Sequence, residues 1–156
     1  MVKFITLYTL EQNRVVKRLN QSLTTRIKAM LIGAGLPITL WGEAAHTACY
    51  LGNRTPRQYD GAVSTPEEIW TGTKPDLGHL RTFGCVAYAQ LAKEQRGKLD
   101  PTSMRGVFIG YTPTSRQYRI YDPKTGGVGR YSTVRFDETR KGGTLITGQG
   151  ASLVLA

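Results

Sequence analysis

Met104-Arg105-Gly106-Val107-Phe108-Ile109-Gly110-Tyr111 and Gln117-Tyr118-Arg119-Ile120-Tyr121-Asp122 decide the fold. Both runs are rich in Val, Ile, Phe and Tyr. Turn residues bound them: Asp100-Pro101 before the first, Pro113 and Ser115 between them, and Asp122-Pro123-Lys124-Thr125-Gly126-Gly127 after the second. β-Branched and aromatic side chains suit a pleated, half-buried surface, and Pro, Gly and Asp punctuate it, so the two runs read as neighbouring strands. Outward from them, Phe83–Leu91 and Val128–Phe136 carry the same period of two. Four short strands at close spacing predict a small antiparallel barrel. Within the second run Tyr118 and Ile120 share one strand face while Arg119 and Tyr121 share the other. One face would pack inward and the other would offer a cation beside an aromatic ring, a combination suited to phosphate contact and base stacking.

Upstream of Gly78 the period is helical. Val16, Leu19, Leu23, Ile27, Met30 and Leu31 recur in steps of three and four, which places them on one face of a helix that Gly33, Gly35 and Leu36-Pro37 stop. A second helix opens near Thr39, with Leu40, Trp41, Ala44, Ala45, Ala48 and Cys49 as its apolar face, and closes near Asn53 because Pro56 biases Thr55 away from helical geometry. In the third, Thr65 caps, Pro66 takes the first helical position and Glu68 completes a capping box; Gly72 ends it. These pieces read as a helical periphery, without a self-sufficient core. Thr139–Ala156 mixes four glycines with small and polar residues, and disorder is expected there. The fold class is therefore α+β: three helices over residues 1–78, a barrel over 79–138 and a tail over 139–156.

Charge supplies the functional hint. The chain carries 21 Lys/Arg against 11 Asp/Glu, a net +10. The imbalance is concentrated in residues 81–156, with twelve basic against five acidic residues, compared with nine against six in residues 1–80. Such a surface attracts polyanions and points to DNA or RNA, with simple solubility as the bland alternative. Arg18, Arg96, Lys98, Arg105, Arg116, Arg119, Tyr121, Arg130 and Arg135 are the candidate contacts. No apolar run approaches the ~20 residues a membrane span requires, and Met1–Leu10 lacks the cleavage site of a signal peptide. Without a Cys-x-x-Cys or His-x-x-x-His pair, no zinc ligand set is expected; Cys49 and Cys85 read as buried thiols and His46 as a structural histidine. Trp41 and Trp70 sit in helical apolar patterns, which predicts core packing.

The ordered set of motifs carries a resemblance. Tyr8-Thr9, Glu11-Gln12-Asn13, Gly35-Leu36-Pro37, Leu40-Trp41-Gly42-Glu43-Ala44 and Leu51-Gly52-Asn53-Arg54-Thr55-Pro56 come first. Thr65-Pro66-Glu67-Glu68-Ile69-Trp70-Thr71-Gly72, Lys74-Pro75 and His79-Leu80-Arg81-Thr82-Phe83-Gly84-Cys85 follow. Lys98-Leu99-Asp100-Pro101, Gly106-Val107-Phe108-Ile109-Gly110-Tyr111 and Tyr121-Asp122-Pro123 complete the series. Over roughly residues 8–138 the chain resembles the integrase region of copia-type LTR retrotransposon polyproteins. The resemblance implies that the helices belong to the end of an RNase H-like integrase core and that the barrel is an SH3-like module. In that family two aspartates and a glutamate bind Mg²⁺ or Mn²⁺ for phosphoryl transfer.

Lys17 stands at the family's glutamate position, within Gln12-Asn13-Arg14-Val15-Val16-Lys17-Arg18-Leu19-Asn20, and residues 1–10 contain no acidic residue. An ammonium repels the hard cation that a carboxylate would hold. The expectation is thus no catalysis, no cofactor and no metal site in this chain, with the catalytic trio incomplete. The expected partners are nucleic acid, bound without sequence preference, and other segments of the polyprotein, with no membrane and no small-molecule substrate. The resemblance implies the nucleus as location, with the cytoplasm as the alternative. Two other readings stand beside this one: a part of an active integrase when encoded in a longer product, and a domesticated protein-interaction module.

Overall fold

The computed structural model describes residues 10–92, 97–99, 101–113 and 116–147. Helix α1, Leu10–Ala34, is followed by a 3₁₀ turn at Ile38–Leu40 and helix α2, Trp41–Arg54. A hairpin of β1, Arg57–Tyr59, and β2, Ala62–Ser64, leads into the short helix α3, Pro66–Thr71. The Thr65 hydroxyl accepts the Glu68 N–H at 3.1 Å, as the capping pattern requires, and Gly72 closes α3 at φ +73°. The hairpin is absent from the sequence reading. Its signal is the dipeptide Asp60-Gly61, whose φ values of 45° and 85° supply the left-handed turn that a two-residue hairpin loop needs.

Strands β3 (Cys85–Gln90), β4 (Ser103–Tyr111), β5 (Tyr118–Tyr121), β6 (Val128–Tyr131) and β7 (Val134–Lys141) form one antiparallel sheet in the order β6-β5-β4-β3-β7. The run expected as a single strand over 128–136 is two strands, broken at Ser132-Thr133, that lie on opposite edges of the sheet. That connection dictates the shape. A flat five-stranded sheet would hold its edges about 19 Å apart at roughly 4.8 Å per strand, whereas the step from Tyr131 to Val134 covers at most about 11 Å. The sheet must curl until its edges approach each other, and the β3–β7 ladder runs on into the connection, with Gln90 N–H donating to the Thr133 carbonyl at 3.0 Å. This is the expected small barrel, reached with five strands.

The curled sheet encloses Cys85, Ala87, Ala89, Phe108 and Ile120, ringed by Met104, Tyr118, Tyr131, Val134 and Phe136. The small side chains of Ala87 and Ala89 leave room for the Phe108 ring, which meets Tyr111, Tyr118 and Phe136 edge-on. A second core lies outside, where Leu31, Ala34, Leu36, Leu40 and Ala44 cover Val107, Ile109 and Ile146. The helices are therefore built onto the barrel: one core spans the expected boundary at residue 78. Gly84 permits the close approach, since a Cβ there would collide with the Ala34 Cβ. A bulge between Phe108 and Gly110 takes Ile109 out of the ladder, and the buried Thr47 hydroxyl donates to the Ile109 carbonyl at 2.9 Å. The bulge thus fastens α2 to β4 without leaving a buried carbonyl unpaired.

Three further expectations change. Residues 139–141 extend β7, and Gly143–Thr147 form a helix, α4, with Gly143 and Ile146 buried, in place of the disorder expected from Thr139 onward; residues 148–156 lie outside the described residues. Trp70 is 90% exposed and Trp41 60% exposed. Helical periodicity places them on an apolar stripe, but α3 buries none of its residues and the α2 core contact is made by Ala44 and Ala48 instead. Cys49 and His46 are exposed on α2, while Cys85 is buried as expected, and burial pushes its thiol pKa up to about 12.

Candidate nucleic-acid interface

The cations named from the sequence have different fates. Arg18 and Lys17 are exposed on the first half of α1. Lys98 is exposed in the β3–β4 connection, and Arg96 lies outside the described residues. Arg116 is exposed ahead of β5, Arg105 on β4, Arg130 on β6 and Arg135 on β7.

Arg119 and Tyr121 do not form the expected open face. Arg119 Nη2 donates to Glu43 Oε1 at 2.6 Å, and Tyr121 packs against the helical core. The alternation holds, but helix α2 and the outer core cover the side of the sheet that carries these two residues. A strand pattern separates two faces without saying which one a helix will occupy.

What the structure does bring together is a row across β4, β3 and β7. Tyr88 pairs with Arg105 on one side and with Arg135 on the other. Directly opposed residues in an antiparallel ladder project from the same face, so the half-buried Tyr88 is flanked by two exposed arginines. The Arg135 guanidinium carbon lies 4.9 Å from the Tyr88 ring centroid, within cation–π range. Among the described residues the ion pairs are Arg54–Glu67 and Arg119–Glu43, so neither Arg105 nor Arg135 is paired with a described carboxylate. Sequence reasoning misses Tyr88. Its alternation with Ala87 and Ala89 is visible, but strand pairing is needed to set it between two arginines.

Arg130 is exposed at the other end of the sheet, opposite Arg119. Its neighbour Arg119 is neutralised by Glu43, so repulsion between the two is relieved. The row and Arg130 present exposed cations beside one half-buried aromatic ring, without a carboxylate partner among the described residues, which is chemistry for phosphate contact. Among the described residues no cluster of three or more His, Cys, Asp or Glu side chains is arranged to hold a metal ion, and no helix is long and apolar enough to cross a membrane.

Comparison with known proteins places these residues. A family model described as the retroviral polymerase SH3-like domain matches residues 85–147, which is the sheet from β3 through α4. Over 131 residues, 84% of the chain, the sequence is 42% identical to the retrovirus-related Pol polyprotein from transposon TNT 1-94 of Nicotiana tabacum. Over the same share it is 33% identical to the retrovirus-related Pol polyprotein from transposon RE1 of Arabidopsis thaliana. The chain spans about a tenth of the length of these relatives, 10% and 9%. It is also 33% identical, over 75% of its length, to the uncharacterized mitochondrial protein AtMg00710 of Arabidopsis thaliana, of which it covers 92%. No solved structure matches it significantly.

Proposed function

Because the chain belongs to the retrovirus-related Pol polyproteins of copia-type LTR retrotransposons and carries their SH3-like domain, we propose that it is a non-catalytic segment that holds nucleic acid without sequence preference through the outer face of that domain. The carrying observation is the Arg135–Tyr88–Arg105 row, with both arginines exposed and unpaired among the described residues. Arg130, Lys98 and Arg116 extend the same charge sign around the domain. Contacts of this kind fix phosphates and carry no base information.

The non-catalytic part of the proposal is supported by Lys17, an exposed ammonium at the position where the integrase resemblance places a metal-binding glutamate. In this reading the chain needs neither Mg²⁺ nor Mn²⁺, acts on nucleic acid in the nucleus and touches other polyprotein segments. Within a longer product the same segment would serve an active integrase whose acidic residues come from elsewhere.

Two measurements test the proposal. A strand-transfer assay with Mg²⁺ or Mn²⁺ is expected to show only background, and joining of DNA ends by this chain alone refutes the non-catalytic part. Fluorescence anisotropy with a labelled duplex is expected to give weak binding whose logarithm falls linearly with log salt. About four phosphate contacts set a slope near −3.6, or roughly a hundredfold loss between 50 and 200 mM salt. Replacing both Arg105 and Arg135 by Gln is expected to remove about half of that slope. A double variant that binds like the parent sinks the proposed interface.

One observation favours a second reading, protein interaction: Trp70, Ile69 and Val63 are exposed at 90%, 58% and 72% around α3 and the β1–β2 hairpin. Salt-insensitive capture of a protein, lost in Trp70→Ala and retained in the double arginine variant, would establish that role.

A further inference from the structure

Between α2 and α3 the chain runs out as a β-arm. Every residue from Thr55 to Val63 is exposed. The base of the arm is fixed: Arg54 pairs with Glu67 at 2.8 Å, and the Thr65 hydroxyl caps α3. Among the described residues β1 and β2 pair with each other and with no other strand. Such a two-stranded ribbon is marginal alone, and each outer edge is a row of unpaired backbone groups that a further strand can take up.

The register says which groups face outward. Tyr59 and Ala62 flank the two-residue turn Asp60-Gly61, whose two positive φ values belong to the mirror-image turn of hairpins. They form the hydrogen-bonded pair beside the turn, so Gln58 and Val63, next along, form a non-hydrogen-bonded pair. In such a pair the N–H and C=O groups point away from the partner strand: Gln58 offers them on the outer side of β1, and Val63 on the outer side of β2. The two edges differ. The outward row of β1 runs from Gln58 to Pro56, which has no N–H, and Arg57 puts a charge on that strand. Proline and charge are the usual guards of an edge strand. Strand β2, Ala62-Val63-Ser64, carries neither, and Val63 at its centre is 72% exposed.

An uncharged edge whose outward N–H and C=O sit on its middle residue is complementary to itself. A twofold axis at Val63 sets the N–H of each copy against the carbonyl of the other, and the two Val63 side chains then lie directly opposed on one face. Charge permits this approach. Residues 56–72 contain one cation, Arg57, against Asp60, Glu67 and Glu68, in a chain of net +10. The arm therefore does not attract a polyanion, and the excess of positive charge lies elsewhere. We propose that two copies of this chain associate through β2, giving a four-stranded antiparallel ribbon in the order β1-β2-β2-β1 with Val63 at the twofold axis. The proposal rests on the protein-interaction reading of the hairpin and α3, and names its partner. So short an edge buries less than the ~1,200 Å² of a stable interface, so the association is weak, with a Kd on the order of 100 μM.

Sedimentation equilibrium of the full chain, free of nucleic acid, tests this from about 10 μM to about 1 mM. The mass is expected to climb from 17.2 kDa toward twice that value. Higher salt should raise it further, because copies of net charge +10 repel and salt screens them, the opposite of binding to nucleic acid. Val63→Pro removes the outward N–H but no hydrogen bond of the hairpin itself, and is expected to weaken association about tenfold or more. Gln58→Pro removes the equivalent group from the other edge and should associate like the parent. Unchanged amide shifts at Val107 and Ile109 show that both variants keep the fold. In a mixture of labelled and unlabelled chains, isotope-filtered NMR should connect the Val63 methyls of the two copies. A mass that stays at 17.2 kDa throughout overturns the proposal. So does an association that survives Val63→Pro, is lost in Gln58→Pro, or dissolves as salt rises. A chain that stays monomeric yet captures a different protein, with loss in Trp70→Ala, refutes the second copy and leaves the interaction reading standing; a chain that does neither refutes both.

Discussion

Leu31→Ala probes whether helices and barrel stand or fall together. Leu31 is 1% exposed and belongs to the core that α1 and α2 share with Val107 and Ile109 of β4. Truncating a buried leucine removes transfer energy and leaves a cavity, and a loss of about 3 kcal/mol is expected here. The site is hemmed in by Leu36 and Ile109, both fully buried, which limits collapse into the gap. If the core is one cooperative unit, amides that exchange only by global opening should speed up by roughly a hundredfold, at about 1.4 kcal/mol per tenfold. Hydrogen exchange followed by NMR reads this residue by residue. In the parent, Ala44–Ala48 of α2 and Val86, Val107 and Ile109 of the sheet should be comparably slow. The first half of α1, with Asn13–Ser22 all exposed, should exchange fast. In Leu31→Ala both slow groups should accelerate by the same factor. Sheet amides that keep their protection while α2 amides lose it would show two independent units, and the shared-core argument would fail.

Thr47→Val keeps the side-chain shape but strands the Ile109 carbonyl, and a loss of about 1–3 kcal/mol is expected in urea unfolding. Opposite reactivity is expected of the two thiols: Cys49, exposed, should react with Ellman's reagent in the native state, whereas Cys85, buried and pushed up to about 12, should react only on unfolding. His79, which burial and then Arg54 hold below the ordinary value of 6.5, should titrate below it by NMR. Below pH 6.5 the unfolded chain takes up that proton first, so this group's contribution to stability is complete above 6.5 and declines as pH falls toward its folded value. Glu138 accepts from the Thr82 hydroxyl and from the Thr82 N–H, which lowers its pKa. Its contribution is present above the ordinary carboxylate range and fades as pH falls through the folded value; Thr82→Ala should move the NMR titration of Glu138 upward.

The local signals proved sufficient wherever the physics is local. The Thr65-Pro66 cap, the strand character of 104–111 and 117–122 and the shared face of Tyr118 and Ile120 follow from side-chain shape, alternation and turn chemistry, and all were legible. The break at Ser132-Thr133 was not, because β6 and β7 continue the same alternation and only their separate neighbours, β5 and β3, distinguish them. Nor were the ordered residues 139–147, whose glycines read as disorder until Gly143 is seen against the Gly35 backbone, where no side chain would fit.

The amino-acid sequence by itself determined the family, the α+β order of elements, the excess of positive charge in the second half and the lysine at position 17. Each of these depends on residue type and spacing along the chain. Only the tertiary structure decided which cations remain unpaired among the described residues. Arg119 and Arg135 look alike in a strand pattern, but the fold carries Glu43 across 76 residues to neutralise the first and sets the second over Tyr88. The reason is that charge availability depends on distance in space: an arginine's partner is fixed by which helix covers which face of the sheet, and no local pattern holds that information.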